Sequence, residues 1–264
     1  TVEGCQKMEE EKKPYGTVLL KAAKIIDHLS NSKEAQSLAV IAANTGLSSP
    51  TALKILDTLL LIGYVEKDEQ TKRFTLGSAL IRHANNRLAN LDIIKITEPY
   101  LRNLQAGLDE TVHLGILDKD EVLYVNKLET QKAIANINSR IGNTNHLYSS
   151  AMGKAMLAVF SEEELEAYLG RVELVADTPN TITDRAVLKE EIRNVRMAGF
   201  ATDDEENDLD VICIGAALVV DNKLYGAFSV STPKYRFDRE KTIAKVLETK
   251  KNLLAELGKT KTFG

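Results

Sequence analysis

No apolar run in the 264-residue sequence approaches the roughly 20 residues that a membrane-spanning helix needs, so no membrane partner is expected. The start of the chain is charged and lacks the apolar core of a secretory signal, and the expected location is therefore the cytoplasm. Thr1 is not an initiator residue, whereas Met8 is a candidate for one. Cysteine is scarce. Cys5 and Cys213 supply neither a disulfide framework nor a zinc spacing, and a reducing compartment suits them. His28, His83, His113 and His146 are scattered, with no His-x3-His or Glu-His pairing, so no metal site is expected and each reads as a surface or packing residue. A Gly-x-Ser-x-Gly elbow is missing. Gly153-Lys154 lacks the upstream glycine and following hydroxyl of a phosphate-binding loop. No catalytic residue and no cofactor is expected, and the chain is not read as an enzyme.

What is present is ordinary for a soluble globular chain, with 44% hydrophobic and 27% charged residues and enough length for a small and a larger core. The net charge of −4 is unevenly spread: residues 16–90 carry nine Lys/Arg against six Asp/Glu, while the segment after 90 carries 22 against 28. A mildly basic head on an acidic body suits a protein whose head alone touches nucleic acid. Residues 1–14 show no hydrophobic periodicity and are read as a disordered arm.

Val18, Leu19, Ala22, Ile25, Ile26 and Leu29 share one helical face, which predicts a helix over residues 16–30. A second apolar stretch covers residues 38–43, and the turn signal Asn44-Thr45-Gly46-Leu47-Ser48-Ser49-Pro50 follows. A third helix should begin there, with Ser48 or Ser49 as N-cap and Pro50 in its first turn. Ala42 allows close helix approach, Gly46 suits positive φ, and Leu47 plugs the core. Ala52, Ile55, Leu56 and Leu59 form the inward stripe, leaving Thr51, Lys54 and Thr58 outward. Residues 63–67 and 72–76 then read as two strands around a polar tip, a wing. Helix, helix, turn, helix and wing in one segment is the order of a winged helix-turn-helix. Expected DNA contacts are Ser48, Ser49, Thr51 and Lys54 at the third helix, Lys72 and Arg73 on the wing, and Lys21 on the first helix. Without the wing, a capped helix with a solvated face would explain the third helix equally well.

With these motifs in place, the sequence resembles the IclR-type family of bacterial transcription regulators over nearly all its length, from about Tyr15 to Leu257. In the head the matching parts are residues 22–29, Gly46-Leu47 and Gly63-Tyr64-Val65. Pro50, Leu53 and Lys54 depart from the residues usual in that family, where Ser or Thr, an aromatic or His, and Arg are common. In the C-terminal half the matches are residues 151–158, with the Gly153-Lys154-Ala155 core, then Asp203-Asp204-Glu205-Glu206, the strand Cys213-Ile214-Gly215-Ala216-Ala217, and Ser229-Val230-Ser231-Thr232-Pro233. The resemblance implies an α+β protein: an N-terminal winged helix-turn-helix domain followed by a GAF-like mixed sheet-and-helix sensor. It also implies effector contacts at Ala151, Met152, Asp203, Cys213, Ser229 and Ser231.

The residues lead to a similar organisation. Residues 76–108 are helical in pattern, interrupted locally at Pro99, and read as a connector offering apolar residues for dimerisation, or as a helix packed on its own domain. Hairpins are expected at residues 111–117 with 121–128, and at 211–220 with 223–231. Helices should begin near Ser150, at the capping box Ser161-Glu162-Glu163-Glu164, at Asp184 with Gly199 as stop, and near Asp238. The four acidic residues 203–206 read as a solvated loop with one member turned inward. Residues 149–153 approach a helix N-terminus, which attracts an anion. Ser229 and Ser231 face one side of a strand and offer hydroxyls, although plain strand packing would also account for them.

The expected domains are an arm at 1–14, the winged head at 15–76, a helical linker at 77–98, a sensor at 99–258 and a tail at 259–264. The expected function is ligand-responsive regulation of transcription, with operator DNA, a small organic acid or similar effector, and a homodimer or dimer of dimers as partners. The competing expectation is a small-molecule-binding or enzymatic protein whose helix-turn-helix serves protein contacts.

Overall fold

A computed structural model of the chain describes residues 16–89, 91–130, 132 and 139–260. The expected arm at 1–14 and the last residues of the expected tail, 261–264, lie outside the described residues, as does Cys5. The chain forms two compact units, Thr1–Asn90 and Leu91–Gly264.

The first unit begins with α1 (Thr17–Ser30), α2 (Leu38–Thr45) and α3 (Ser49–Leu61). Ser37 caps α2 by accepting the Val40 N–H, and Gly46 ends it at φ 66°, the left-handed conformation that a glycine adopts without steric cost. Ser48 is the N-cap residue of α3, with Pro50 in the first turn. The predicted stripe Ala52, Ile55, Leu56 and Leu59 is buried, against Ile25, Leu29, Ile41 and Ala42. At the start of α1 the periodicity overstates burial: Val18 and Leu19 are 55% and 72% exposed. The wing is β1 (Val65–Lys67) paired antiparallel with β2 (Phe74–Leu76). Its strands are shorter than predicted. Lys72 lies in the turn at φ 56°, and Asp68 Oδ1 holds that turn by accepting the Gln70 and Thr71 N–H groups at 2.8 and 2.7 Å. Helix α4 (Ser78–Ala89) closes the unit, where His83 meets the Tyr64 ring edge to face.

The second unit opens with α5 (Asp92–Leu108). Two expectations are corrected here. Pro99 lies inside α5 rather than interrupting it, and the helical pattern is divided between Ala89 and Asp92 instead. Residues 91–98, expected as linker, belong to this unit, with Ile93 and Thr97 buried in it. The strands β3 (Thr111–Asp118), β4 (Glu121–Leu128), β5 (Thr144–His146), β6 (Ala201–Asp204), β7 (Val211–Val220) and β8 (Lys223–Pro233) form one antiparallel sheet, ordered β5-β4-β3-β8-β7-β6. The two predicted hairpins form its centre. Asp221 and Asn222 turn one of them with φ of 48° and 61°, the double positive φ that a two-residue hairpin turn favours. Both short edge strands, β5 and β6, were not predicted.

Between β5 and β6 the chain forms α6 (Ala151–Leu157), α7 (Glu162–Arg171) and α8 (Arg185–Ala198), and α9 (Arg239–Thr260) ends the unit. The capping box at Ser161 forms as predicted, Asp184 caps α8, and Gly199 stops it at φ 77°. Helices α5 and α9 pack on each other and on the sheet, while α6 rests on β7 and β8 and carries α8. The alternation of a strand assigns the faces. Gly215 of β7 faces α6, whereas its neighbours Ile214 and Ala216, both at 0% exposure, point the other way into packed core. The sheet is thus covered on both sides.

Candidate effector cavity and DNA-binding face

The antiparallel register brings small polar side chains into rows across the sheet. Asp203 of β6 pairs with Cys213 of β7, which pairs with Ser231 of β8. One pair along, Gly215, Ser229 and His113 are aligned across β7, β8 and β3. Because alternate residues share a face, all of these look towards α6. The N-terminal turn of α6 lies over them, and Gly215 makes that possible: a β-carbon there would lie 2.7 Å from the Ala151 carbonyl carbon. The space left between rows and helix is a cavity of about 390 Å³. All six residues singled out as effector contacts, Ala151, Met152, Asp203, Cys213, Ser229 and Ser231, line it.

The floor is a hydrogen-bonded chain. Cys213 Sγ and Ser231 Oγ are 3.2 Å apart, Ser231 Oγ is 3.4 Å from His113 Nδ1, and His113 Nε2 is 2.7 Å from Ser139 Oγ. His113 is 2% exposed, and burial, reinforced by the nearby Lys127 charge, lowers it to about 3, so it is a neutral imidazole. Its reading as a packing residue misses this place in the cavity. The missing signal was strand alternation, since His113 has the same parity as Thr111 and Gly115 on the inward face. Tyr124 stands beside it, ring centroids 5.3 Å apart, its hydroxyl pushed up by burial. Burial also raises the Cys213 thiol well above its ordinary value.

The acidic run differs most from expectation. Asp203, Glu205 and Glu206 are all buried, and only Asp204 is exposed. The run is therefore not a solvated loop with one residue turned in; it is three inward carboxyls, each with its own partners. Asp203 Oδ1 accepts the Glu206 and Asn207 N–H groups at 2.8 and 3.3 Å. Burial nevertheless raises its carboxyl to about 7. Glu206 pairs with the buried Lys154, and Glu205 pairs with Lys234. Asp177 and Asp208 bring two further carboxyls to the cavity wall, Asp208 raised by burial. No Lys or Arg is among the described residues lining the cavity. This charge balance is the opposite of what an organic-acid effector calls for. The α6 N-terminus also offers one donor fewer, because Ser150 Oγ already accepts the Gly153 N–H.

On the head, Lys54 is exposed on α3, with Ser48 and Ser49 exposed at its leading end. Thr51 is half-buried, and its hydroxyl is 2.8 Å from that of Ser48. Lys72 pairs with Glu69 at 2.7 Å, and Arg73 Nη1 donates to the Ala35 carbonyl at 3.1 Å, both remaining exposed. Lys21 is exposed on α1. Among the described residues no cluster of His, Cys, Asp and Glu is arranged to hold a metal ion, and no helix is long and apolar enough to cross a membrane.

Residues 85–255 match the family described as bacterial transcriptional regulator IclR C-terminal, and residues 18–69 match the IclR helix-turn-helix domain. The chain is 31% identical over 225 residues to the HTH-type transcriptional regulator KdgR of Escherichia coli, covering 84% of each protein. The crystal structure of Thermotoga maritima IclR matches with a TM-score of 0.73 and 32% identity, over 93% of this chain and 99% of that one. An IclR homolog of Microbacterium hydrocarbonoxydans, solved with 4-hydroxybenzoate, shares the fold at a TM-score of 0.80 and 22% identity, over 91% of this chain and 98% of that one.

Proposed function

The chain belongs to the IclR family of bacterial transcriptional regulators, and on that premise we propose that α3 and the wing hold operator DNA while the 390 Å³ cavity holds a compact polar effector. One observation carries the reading: Ala151, Met152, Asp203, Cys213, Ser229 and Ser231, far apart in sequence, line a single cavity. A structural relative was solved with a small aromatic acid, which supports an effector of that size here. The cavity volume falls in the usual range for small-molecule sites, roughly 300–1,000 Å³.

The protein acts by binding rather than by catalysis. An effector alters DNA affinity only by binding two head arrangements unequally, and a typical coupling of about 1–3 kcal/mol gives roughly a 5- to 150-fold change. The working form is a homodimer or dimer of dimers in the cytoplasm. The exposed apolar side chains at the start of α1, Leu19 at 72% and Leu20 at 53% among them, support a partner copy covering that surface.

A gel shift of the full chain on the upstream region of its own gene, with and without small-molecule candidates, tests the reading. Footprinting should reveal an inverted repeat with half-sites about 34–36 Å apart or a multiple of that spacing. A single half-site together with a monomer by light scattering would overturn the assembly. Failure to bind any operator would overturn the function.

A further inference from the structure

We propose that the cavity selects an uncharged polyhydroxylated effector, a sugar or polyol, over a carboxylate. The inference rests on the effector reading above and narrows it.

Charge gives the first argument. Asp177, Asp203 and Asp208 line the cavity, and no described lining residue is Lys or Arg. Residues 131 and 133–138 add no cation either, since they are Gln131, Ala133, Ile134, Ala135, Asn136, Ile137 and Asn138. The nearest lysines in the sequence are already engaged. Lys127 Nζ donates to the Ser139 carbonyl and pairs with Glu129, both at 2.8 Å, and Lys132 pairs with Asp109 at 2.6 Å. Lys154 is turned away into its pair with Glu206. Arg140 is exposed and does not line the cavity. Burial raises Asp203 to about 7, but a neutral Asp203 still leaves two carboxyls facing an incoming anion. Like charges a few ångströms apart in a partly enclosed site repel strongly enough to cost about tenfold or more in affinity.

Hydrogen-bond chemistry gives the second. Ionised carboxylates only accept, and each of the three aspartates has acceptor capacity beyond the donors it already takes: Ser149 Oγ for Asp177, the Glu206 and Asn207 N–H groups for Asp203, and the Asn207 amide for Asp208. Hydroxyl groups supply donors for that remaining capacity, whereas a carboxylate supplies none. The rest of the lining is adaptable in the same sense. Ser139, Thr144, Ser229 and Ser231 are hydroxyls, and Asn145 and Asn207 are amides that both donate and accept. Apolar lining is limited to a few positions, and the Tyr124 ring, beside His113, gives a C–H face of a sugar something to rest on.

The test is calorimetric titration of the full chain with matched neutral and acidic probes: five- and six-carbon aldoses and alditols against the corresponding aldonates, plus 4-hydroxybenzoate. At pH 7.5 at least one neutral member should bind, and at least about tenfold more tightly than its aldonate. In an Asp177→Asn/Asp208→Asn double variant the gap should narrow through a gain in aldonate affinity. Aldonates or 4-hydroxybenzoate binding as well as the neutral compounds, or no neutral compound binding, would overturn the proposal. A parallel gel shift separates this from the broader reading. Operator binding released only by acids sinks the polyol class and leaves the regulator intact, whereas no operator binding sinks the regulator itself.

Discussion

Gly215 of β7 and Ala151 of α6 approach so closely that a β-carbon on the glycine would lie 2.7 Å from the Ala151 carbonyl carbon and 2.8 Å from its oxygen. Both obstacles are backbone, so no side chain can rotate to make room. Gly215→Ala should therefore lift the N-terminal turn of α6 and cost about 1–3 kcal/mol of stability, as overpacking does. Since Ala151 and Met152 wall the cavity, the effector response should weaken with it. Gly107→Ala in α5, where a β-carbon meets nothing within 4 Å, is the control and should be neutral or slightly stabilising. Denaturant titration of both variants decides this. Equal stability of Gly215→Ala and the parent would show that α6 is not seated as described.

Lys154, at 1% exposure, forms a buried pair with Glu206 and lies 3.4 Å from Glu191. Glu206 Oε2 has no hydrogen-bond partner among the described residues, so this carboxyl depends on one lysine. Lys154→Met should cost about 3–5 kcal/mol, because a buried charge is left without its counterion. Adding Glu206→Gln should restore much of the loss. If the double variant is as unstable as Lys154→Met alone, the damage comes from packing and the ion pair is not its source.

These two sites mark the limit of what the sequence could tell. Residues 121–128 and 211–220 alternate or run apolar between clear turns, and both strands have the predicted bounds. Capping chemistry is equally local, and Ser161, Asp184 and Gly199 do what their types suggest. The acidic run 203–206 misleads because its burial depends on Lys154 and Lys234, dozens of residues away, and no local pattern encodes such partners. Pro99 misleads differently. It is exposed within α5, so the Lys95 carbonyl that loses its intrahelical donor lies on the solvent side of the helix. The six cavity residues were legible as motifs, but the sign of the cavity's charge was not, because Asp177 and Asp208 come from loops without a motif of their own.

Asp203 should make stability depend on pH. Burial raises its folded-state value to about 7 from the ordinary 3.8, so the folded protein holds this proton more tightly than the unfolded chain does. Stability from this group is therefore full below about pH 4, falls as pH rises towards 7 and then levels. Asp203→Asn keeps an oxygen to accept the Glu206 and Asn207 N–H groups but has nothing to titrate. Relative to the parent it should gain about 1–4 kcal/mol between pH 5 and pH 8. Denaturation at the two pH values measures the difference, and a gap that stays constant would show that Asp203 is ionised throughout.

The proposed DNA-binding face can be divided by what each side chain is free to do. Lys54 is exposed on the outer side of α3, with Ala52, Ile55 and Leu56 turned into the core behind it. Lys54→Ala should cost about 1–3 kcal/mol and relax preference at one position if it reads a base. Thr51 is half-buried, and its hydroxyl already shares a hydrogen bond with Ser48, so Thr51→Ala should cost less. Arg73 Nη1 donates to the Ala35 carbonyl at the base of the wing, and in the proposed reading it contacts a phosphate. Arg73→Ala should weaken binding to all sequences alike and reduce the slope of log affinity against log salt by about one. Lys72, tied to Glu69 in the wing turn, should behave in the same way with a smaller effect. Affinities measured across a salt series on the operator and on a scrambled duplex separate these outcomes. If Lys54→Ala loses equally on both duplexes, α3 contacts only the phosphates. If all four variants bind as the parent does, the DNA lies on another face of the head.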